Sequence, residues 1–151
     1  MESKSMTDTL RALSDDKSLA LFNMVAFTLP RDTGAVMTRL ALTRKQFYSR
    51  MNQLIDVGLV TRKSDRYYLT SFGKVVYESH KLIGNAVENY WKLKAIDSIE
   101  TVLSEDDLSV EEQRRIINAL IERNDIKNIL LNQNVPSDKD HKLLTALPNN
   151  P

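Results

Sequence analysis

Lys45, Gln46, Ser49, Asn52 and Gln53 share a spacing that brings them to one side of a helix, and each carries a hydrogen-bond donor. At about 100° per residue, a helix with Phe47, Met51, Leu54 and Ile55 on its inner face turns those five outward, with Tyr48 and Arg50 flanking them. Such a ridge has the groups to read base edges in a major groove, where Arg and Lys suit guanine and Asn and Gln suit adenine. Arg44, Lys45 and the unsatisfied amides of a first helical turn add a place for a phosphate. Asp56 also points outward but belongs to the last turn, so approach to a polyanion is expected through the N-terminal half of the helix.

Other chemistries find less support. There is no cysteine, which excludes disulfides and thiolate metal sites and is compatible with a reducing cytoplasm. His80 and His141 stand 61 positions apart with no neighbouring ligand, so no metal site is expected and both read as surface residues. Glu105, Asp106 and Asp107 are explained by the preference of acids for a helix start. Tyr90 and Trp91 read as core or dimer contacts rather than an effector pocket. No nucleophile–base pair and no phosphate-binding glycine loop is present, so neither an enzyme nor a cofactor is expected.

The elements that must position the ridge follow from caps and periodicity. Residues 1–13 are expected to be flexible, and a first helix to begin after Ser14 with a stripe of Leu19, Phe22, Ala26 and Leu29, ending at Pro30. Asp32 or Thr33 caps a short second helix that buries Val36, Met37 and Leu40. Thr43 and Gln46 form a capping box for the ridge helix, which runs from about Arg44 to Val57 and stops at Gly58. Leu59–Lys63 and Arg66–Thr70 are rich in β-formers and read as a hairpin with a basic, aromatic tip, in which one of Tyr67 and Tyr68 packs inward and the other is exposed. Its turn type is open, because Ser64 and Asp65 supply no glycine.

Thr70 or Ser71 then caps a long helical segment reaching about Leu103, with Phe72, Val76, Ile83, Val87, Tyr90, Ile96, Ile99 and Leu103 on a wide apolar stripe and a bend at Gly84–Asn85. Ser109 and Glu112 form a second capping box for a helix ending near Asn124, and a short helix follows over 125–132. The segment 135–151 reads as a loose tail.

Helix, helix, short turn, helix, hairpin, helix is the order of a winged helix-turn-helix, and over residues 14–81 the sequence resembles that family, in particular archaeal transcription regulators of this size. The resemblance rests on Leu42-Thr43-Arg44-Lys45-Gln46-Phe47-Tyr48-Ser49-Arg50, on Gly58-Leu59-Val60, and on Tyr68-Leu69-Thr70-Ser71-Phe72-Gly73. Ala41 stands where many such turns have Gly. The resemblance implies a mainly α fold with a small β-hairpin, extended at its C-terminus by helices, and a sequence-specific regulator of double-stranded DNA. Its contact residues would be Thr43, Arg44, Lys45, Gln46, Tyr48, Ser49, Arg50, Asn52 and Gln53 on the helix, with Arg62, Lys63 and Arg66 on the wing.

Charge distribution points the same way. Nine basic residues face three acidic ones between Arg39 and Lys81, whereas eleven acids face five bases between Ala95 and Asp140. A polyanion is steered to the middle, and the acidic C-terminal region is left for a transcription-machinery or effector partner. The apolar excess of the helical extension 82–134 predicts a homodimer through Ile83, Val87, Tyr90, Trp91, Ile96, Ile99 and Leu103. The longest apolar stretch of the sequence, around Leu19 to Leu29, is interrupted by Asn23 and too short for a bilayer, so a soluble, cytoplasmic protein without membrane contact is expected. The competing reading is a winged-helix adaptor whose outward helix touches another protein, with no sequence-specific DNA binding.

Overall fold

The computed structural model describes residues 4–27, 32–102 and 109–132. The chain divides into two compact units, Met1–Lys81 and Leu82–Pro151. The described residues are mainly helical, with a single two-stranded antiparallel hairpin.

In the first unit, α1 (Met6–Ala12) occupies a stretch expected to be flexible. Ser5 caps it by accepting from the Asp8 amide, Thr9 and Ala12 are buried, and Lys4 Nζ donates to the Asp56 carbonyl at 2.9 Å. The sequence signal was the Ser5–Asp8 spacing. Ser14 closes this helix through Arg11 O rather than starting the next, and Asp15 caps α2 (Asp16–Ala26) by accepting from the Lys17 and Ser18 amides. The buried side of α2 is Ser18, Leu21, Phe22 and Val25. It is rotated from the expected stripe, so that Leu19 and Ala26 are only half-buried. Leu29 and Pro30 lie outside the described residues.

Asp32 caps α3 (Thr33–Arg39), which buries Val36 and half-buries Met37 and Leu40. Both halves of the Thr43–Gln46 capping box form at the start of α4 (Arg44–Asp56). Its inner residues Phe47, Met51 and Leu54 are fully buried and Ile55 is half-buried. Gly58 leaves the helix at φ 84°. β1 (Val60–Lys63) and β2 (Arg66–Leu69) pair with Val60 opposite Leu69 and Lys63 opposite Arg66. Ser64 and Asp65 both have positive φ, 46° and 61°, which makes the two-residue bend a type I′ turn without glycine. Leu21, Phe22, Val36, Leu42, Phe47, Leu59, Val60 and Tyr67 share one core.

α5 (Ser71–Glu88) starts in the first unit and continues into the second. The long helix does not run uninterrupted to Leu103: the break falls at Asn89, not at Gly84–Asn85. There the Asn89 side-chain amide donates to Asn85 O at 2.9 Å, a local bond that competes with helical geometry. The backbone bonds Asn89 N–H to Asn85 O and Leu93 N–H to Asn89 O carry helical spacing across the break.

In the second unit, α6 (Tyr90–Val102), α7 (Val110–Leu120) and α8 (Asn124–Asn132) surround Ile96, Ile117, Ile121 and Ile126. The Ser109–Glu112 capping box is complete. Asp125 accepts two bonds from Arg123 at 3.1 and 2.9 Å, one from Asn85 Nδ2 at 3.2 Å and one from the Ile126 amide. These bonds hold the Asp125 carboxyl at a pKa of about 2, with the Arg123 side chain the largest cause.

Ile96 is only 4% exposed within this core, which corrects its assignment to a dimer surface, since it is spent inside its own unit. Ile99 is half-buried, whereas Ile83, Val87, Tyr90 and Trp91 are exposed. Leu103 and the Glu105–Asp107 cluster lie outside the described residues, as do His141 and the segment 133–151. Among the described residues no helix is long and apolar enough to cross a membrane.

Candidate nucleic-acid interface

The candidate surface begins at the turn between α3 and α4. Ala41 sits at φ 49°, a left-handed conformation disfavoured for a residue with a β-carbon. Two backbone bonds hold it there, Ala41 N–H to Thr38 O and Leu42 N–H to Met37 O at 2.8 Å, and Leu42 is buried behind the turn. Lys17 of α2 donates to the Ala41 carbonyl at 3.0 Å. The departure from Gly noted in the sequence thus falls at the residue whose backbone favours Gly.

From this anchored start, α4 presents Thr43, Arg44, Lys45, Ser49 and Asn52 to solvent. Gln46 is exposed too, but its Oε1 accepts from the Thr43 amide at 3.0 Å, which ties the side chain back to the start of the helix. Arg44 lies over the Tyr48 ring at 5.9 Å, and Tyr48 is half-buried edge-on against Phe47. Tyr48 therefore shapes the flank of the surface instead of projecting from it.

Two expected members stand elsewhere. Arg50 does not face outward with the ridge: its Nε lies 3.4 Å from Asp15 Oδ1 and its side chain is largely covered. The physical reason is the packing of α2 against α4, which brings the N-terminus of α2 to this flank, where the Asp15 carboxylate already accepts the capping amides. Hydrogen bonds from Ser18, with the charge of Arg50 behind them, hold Asp15 below its ordinary pKa. Gln53 is exposed but lines a groove with Asp8, Arg11 and Asp56 beside α1. Two carboxylates there make the C-terminal half of α4 unfavourable for a polyanion.

The hairpin sorts its side chains by pleat. Tyr67 is 8% exposed and meets the Phe47 ring at 6.3 Å, whereas Tyr68 is 44% exposed. Burial pushes the Tyr67 hydroxyl above its ordinary pKa, with the charge of Arg62 opposing it. Lys63 and Arg66 are cross-strand partners on the face of Tyr68, opposite to buried Tyr67. Arg62 lies on the Tyr67 side, its guanidinium 5.7 Å from that ring and 2.7 Å from Asp65, so it is exposed yet engaged. Arg44, Lys45, Lys63 and Arg66 make no ion pair with any described residue.

A polar clasp fixes the hairpin against the helices. The Thr70 hydroxyl donates to Gly58 O at 2.6 Å and accepts from the Gly73 amide at 2.8 Å, capping α5, while the Thr70 amide donates to Leu59 O. A side chain on Gly73 would collide with the Leu59 backbone. Sequence reasoning registered Thr70 and Gly73 as a motif but missed Asp15 and Lys17 as the residues that hold the ridge helix and its turn.

His80 is half-buried rather than a plain surface residue, with Nε2 2.6 Å from Asn23 Oδ1 and its ring among Phe22 and Tyr77. No cluster of three or more potential metal-ligating side chains occurs among the described residues. Comparison of the chain with protein-family models, with curated proteins and with solved structures gives no match.

Proposed function

We propose that the chain is a winged helix-turn-helix regulator that binds double-stranded DNA in sequence-dependent fashion, with α4 as the recognition helix and the β1–β2 hairpin as the wing. The observation that carries this reading is the division of labour on α4. Its inner residues are fully buried while Arg44, Lys45, Ser49 and Asn52 remain exposed on a turn anchored from α2. A second group of cations, Lys63 and Arg66, which make no ion pair with any described residue, stands on the outer face of the hairpin that packs beside this helix.

In this reading Lys45, Ser49 and Asn52 approach base edges, and Arg44 and the first-turn amides hold a phosphate. Lys63 and Arg66 add backbone contacts, with Tyr68 between them and the strand end as an apolar surface for a sugar. Arg50 and Arg62 act as positioning residues, one fixing α4 to α2 and the other bracing the hairpin tip. The protein works by binding, without covalent chemistry, as a soluble cytoplasmic factor.

Selection of bound fragments from a random duplex pool tests the reading. Enrichment of a defined motif is expected, with log K falling against log salt at a slope of roughly 0.9 for each phosphate neutralised, so about 3–4 for Arg44, Lys45, Lys63 and Arg66 together. Weak, salt-labile binding to every duplex with no enriched motif would reject sequence-specific binding and return the ridge to the adaptor reading.

A further inference from the structure

From α5 into α6, one face of the helical path is apolar and uncovered: Ile83 is 61%, Val87 69%, Tyr90 53% and Trp91 76% exposed. Ile83, Val87 and Trp91 follow one another at four-residue intervals, and the backbone bonds on either side of Asn89 keep helical spacing between α5 and α6, so they form a line rather than scattered exposures. Tyr90 meets Trp91 edge-on at 5.2 Å, which makes a raised aromatic block at one end.

At the other end of the line is Gly84. It is helical, exposed, and a β-carbon there would meet no described residue within 4 Å. Glycine inside a helix lowers stability relative to alanine, and nothing among the described residues calls for the missing side chain. Gly84 and Trp91 are seven residues apart, two turns, so the notch and the projection lie on nearly the same face.

We infer that this face is the interface with a second copy of the chain, in which two α5–α6 paths pair antiparallel about a two-fold axis and each Trp91 seats over the partner copy's Gly84. A patch that carries both a projection and its matching notch is self-complementary, which is what a two-fold interface requires. The area is also of the right order. With an aromatic side chain burying about 150–250 Å², the four residues at these exposures supply on the order of 400 Å² of apolar surface. A standard interface takes about 800 Å² per partner, and about 65% of a homodimer interface is apolar. The inference stands apart from the DNA reading, since it uses none of the residues of the ridge or the hairpin.

Sedimentation velocity of the full chain from 1 to 100 µM tests it. A dimer is expected in the wild type, with its dissociation constant raised at least tenfold by Trp91→Ala and by Gly84→Leu. Gly84→Ala is expected to raise the melting temperature of the dissociated chain while weakening the dimer, a combination that a purely structural glycine would not give. Circular dichroism confirms that each variant is folded, and because these side chains are exposed their replacement leaves the cores intact. A wild type that stays monomeric up to 100 µM would overturn the inference, as would a dimer indifferent to both Trp91→Ala and Gly84→Leu.

Discussion

Gly73, in the first turn of α5, rests so closely on Leu59 that a methyl group in place of its hydrogen would overlap the Leu59 carbonyl oxygen. The contact is with backbone, which cannot rotate away, and that same carbonyl accepts the Thr70 amide. The hairpin and α5 are therefore locked at one point. Gly73→Ala is expected to destabilise the protein by about 3 kcal/mol, the upper part of the range for overpacking. Thr70→Val keeps the shape but loses the cap and the bond to Gly58, and about 1–2 kcal/mol is expected. Urea denaturation followed by circular dichroism measures both, and a Gly73→Ala variant as stable as wild type would contradict the close approach.

Ala41 has the opposite relationship to glycine. At φ 49° its β-carbon is unfavourable by about 1–2 kcal/mol, while glycine's greater freedom in the unfolded chain offsets part of the gain. Ala41→Gly should thus stabilise the fold by about 0.5–1 kcal/mol. The shift in urea midpoint at constant slope is the check, and an unchanged or lowered midpoint would show the turn to be relaxed as it stands.

On DNA, the variants should separate by location. Asn52→Ala is expected to change which duplexes are preferred, by about 1–3 kcal/mol for the base pair it reads. Lys63→Ala and Arg66→Ala should weaken all duplexes alike and each lower the salt slope by about one unit. Arg50→Ala should leave base preference nearly unchanged, because its guanidinium is turned toward Asp15, with a stability loss below about 1 kcal/mol for a partly exposed pair. Gel-shift competition against random duplex distinguishes these patterns, and a changed preference with Arg50→Ala would return that residue to the reading face.

Acid stability of the second unit should depend on Asp125. Its folded pKa, about 2, lies below the ordinary value of about 3.9 for an unfolded Asp, so its contribution is complete above that value and is lost as pH falls toward 2. Glu112, held below its ordinary value by the hydrogen bonds of Ser109, acts in the same direction. Asp125→Asn should flatten the loss of helicity between about pH 4 and 2. A variant with the wild-type acid profile would mean that the Arg123 and Asn85 bonds contribute nothing to it.

Local chemistry was enough to write α4 into the sequence. Thr43 and Gln46 mark its start, Gly58 its exit, and the period of Phe47, Met51 and Leu54 its inner face, because caps and amphipathic spacing act within a few residues. The hairpin was legible from its β-formers, and so was the rule that one of two adjacent tyrosines must turn inward. Helix α1 was missed because a single cap before a short, mostly exposed segment gives little signal. The rotation of α2 and the burial of Ile96 were set by neighbours distant in sequence.

The candidate interface divides along the same line. That Lys45, Ser49 and Asn52 face outward follows from helical phase alone. That Arg50 belongs to Asp15, that Arg62 is braced by Asp65 and Tyr67, and that acids of α1 and α4 flank Gln53 depended on which elements come together in space. A side chain's type and phase are properties of the chain, whereas the partner that occupies its charge is chosen by packing between segments far apart in sequence.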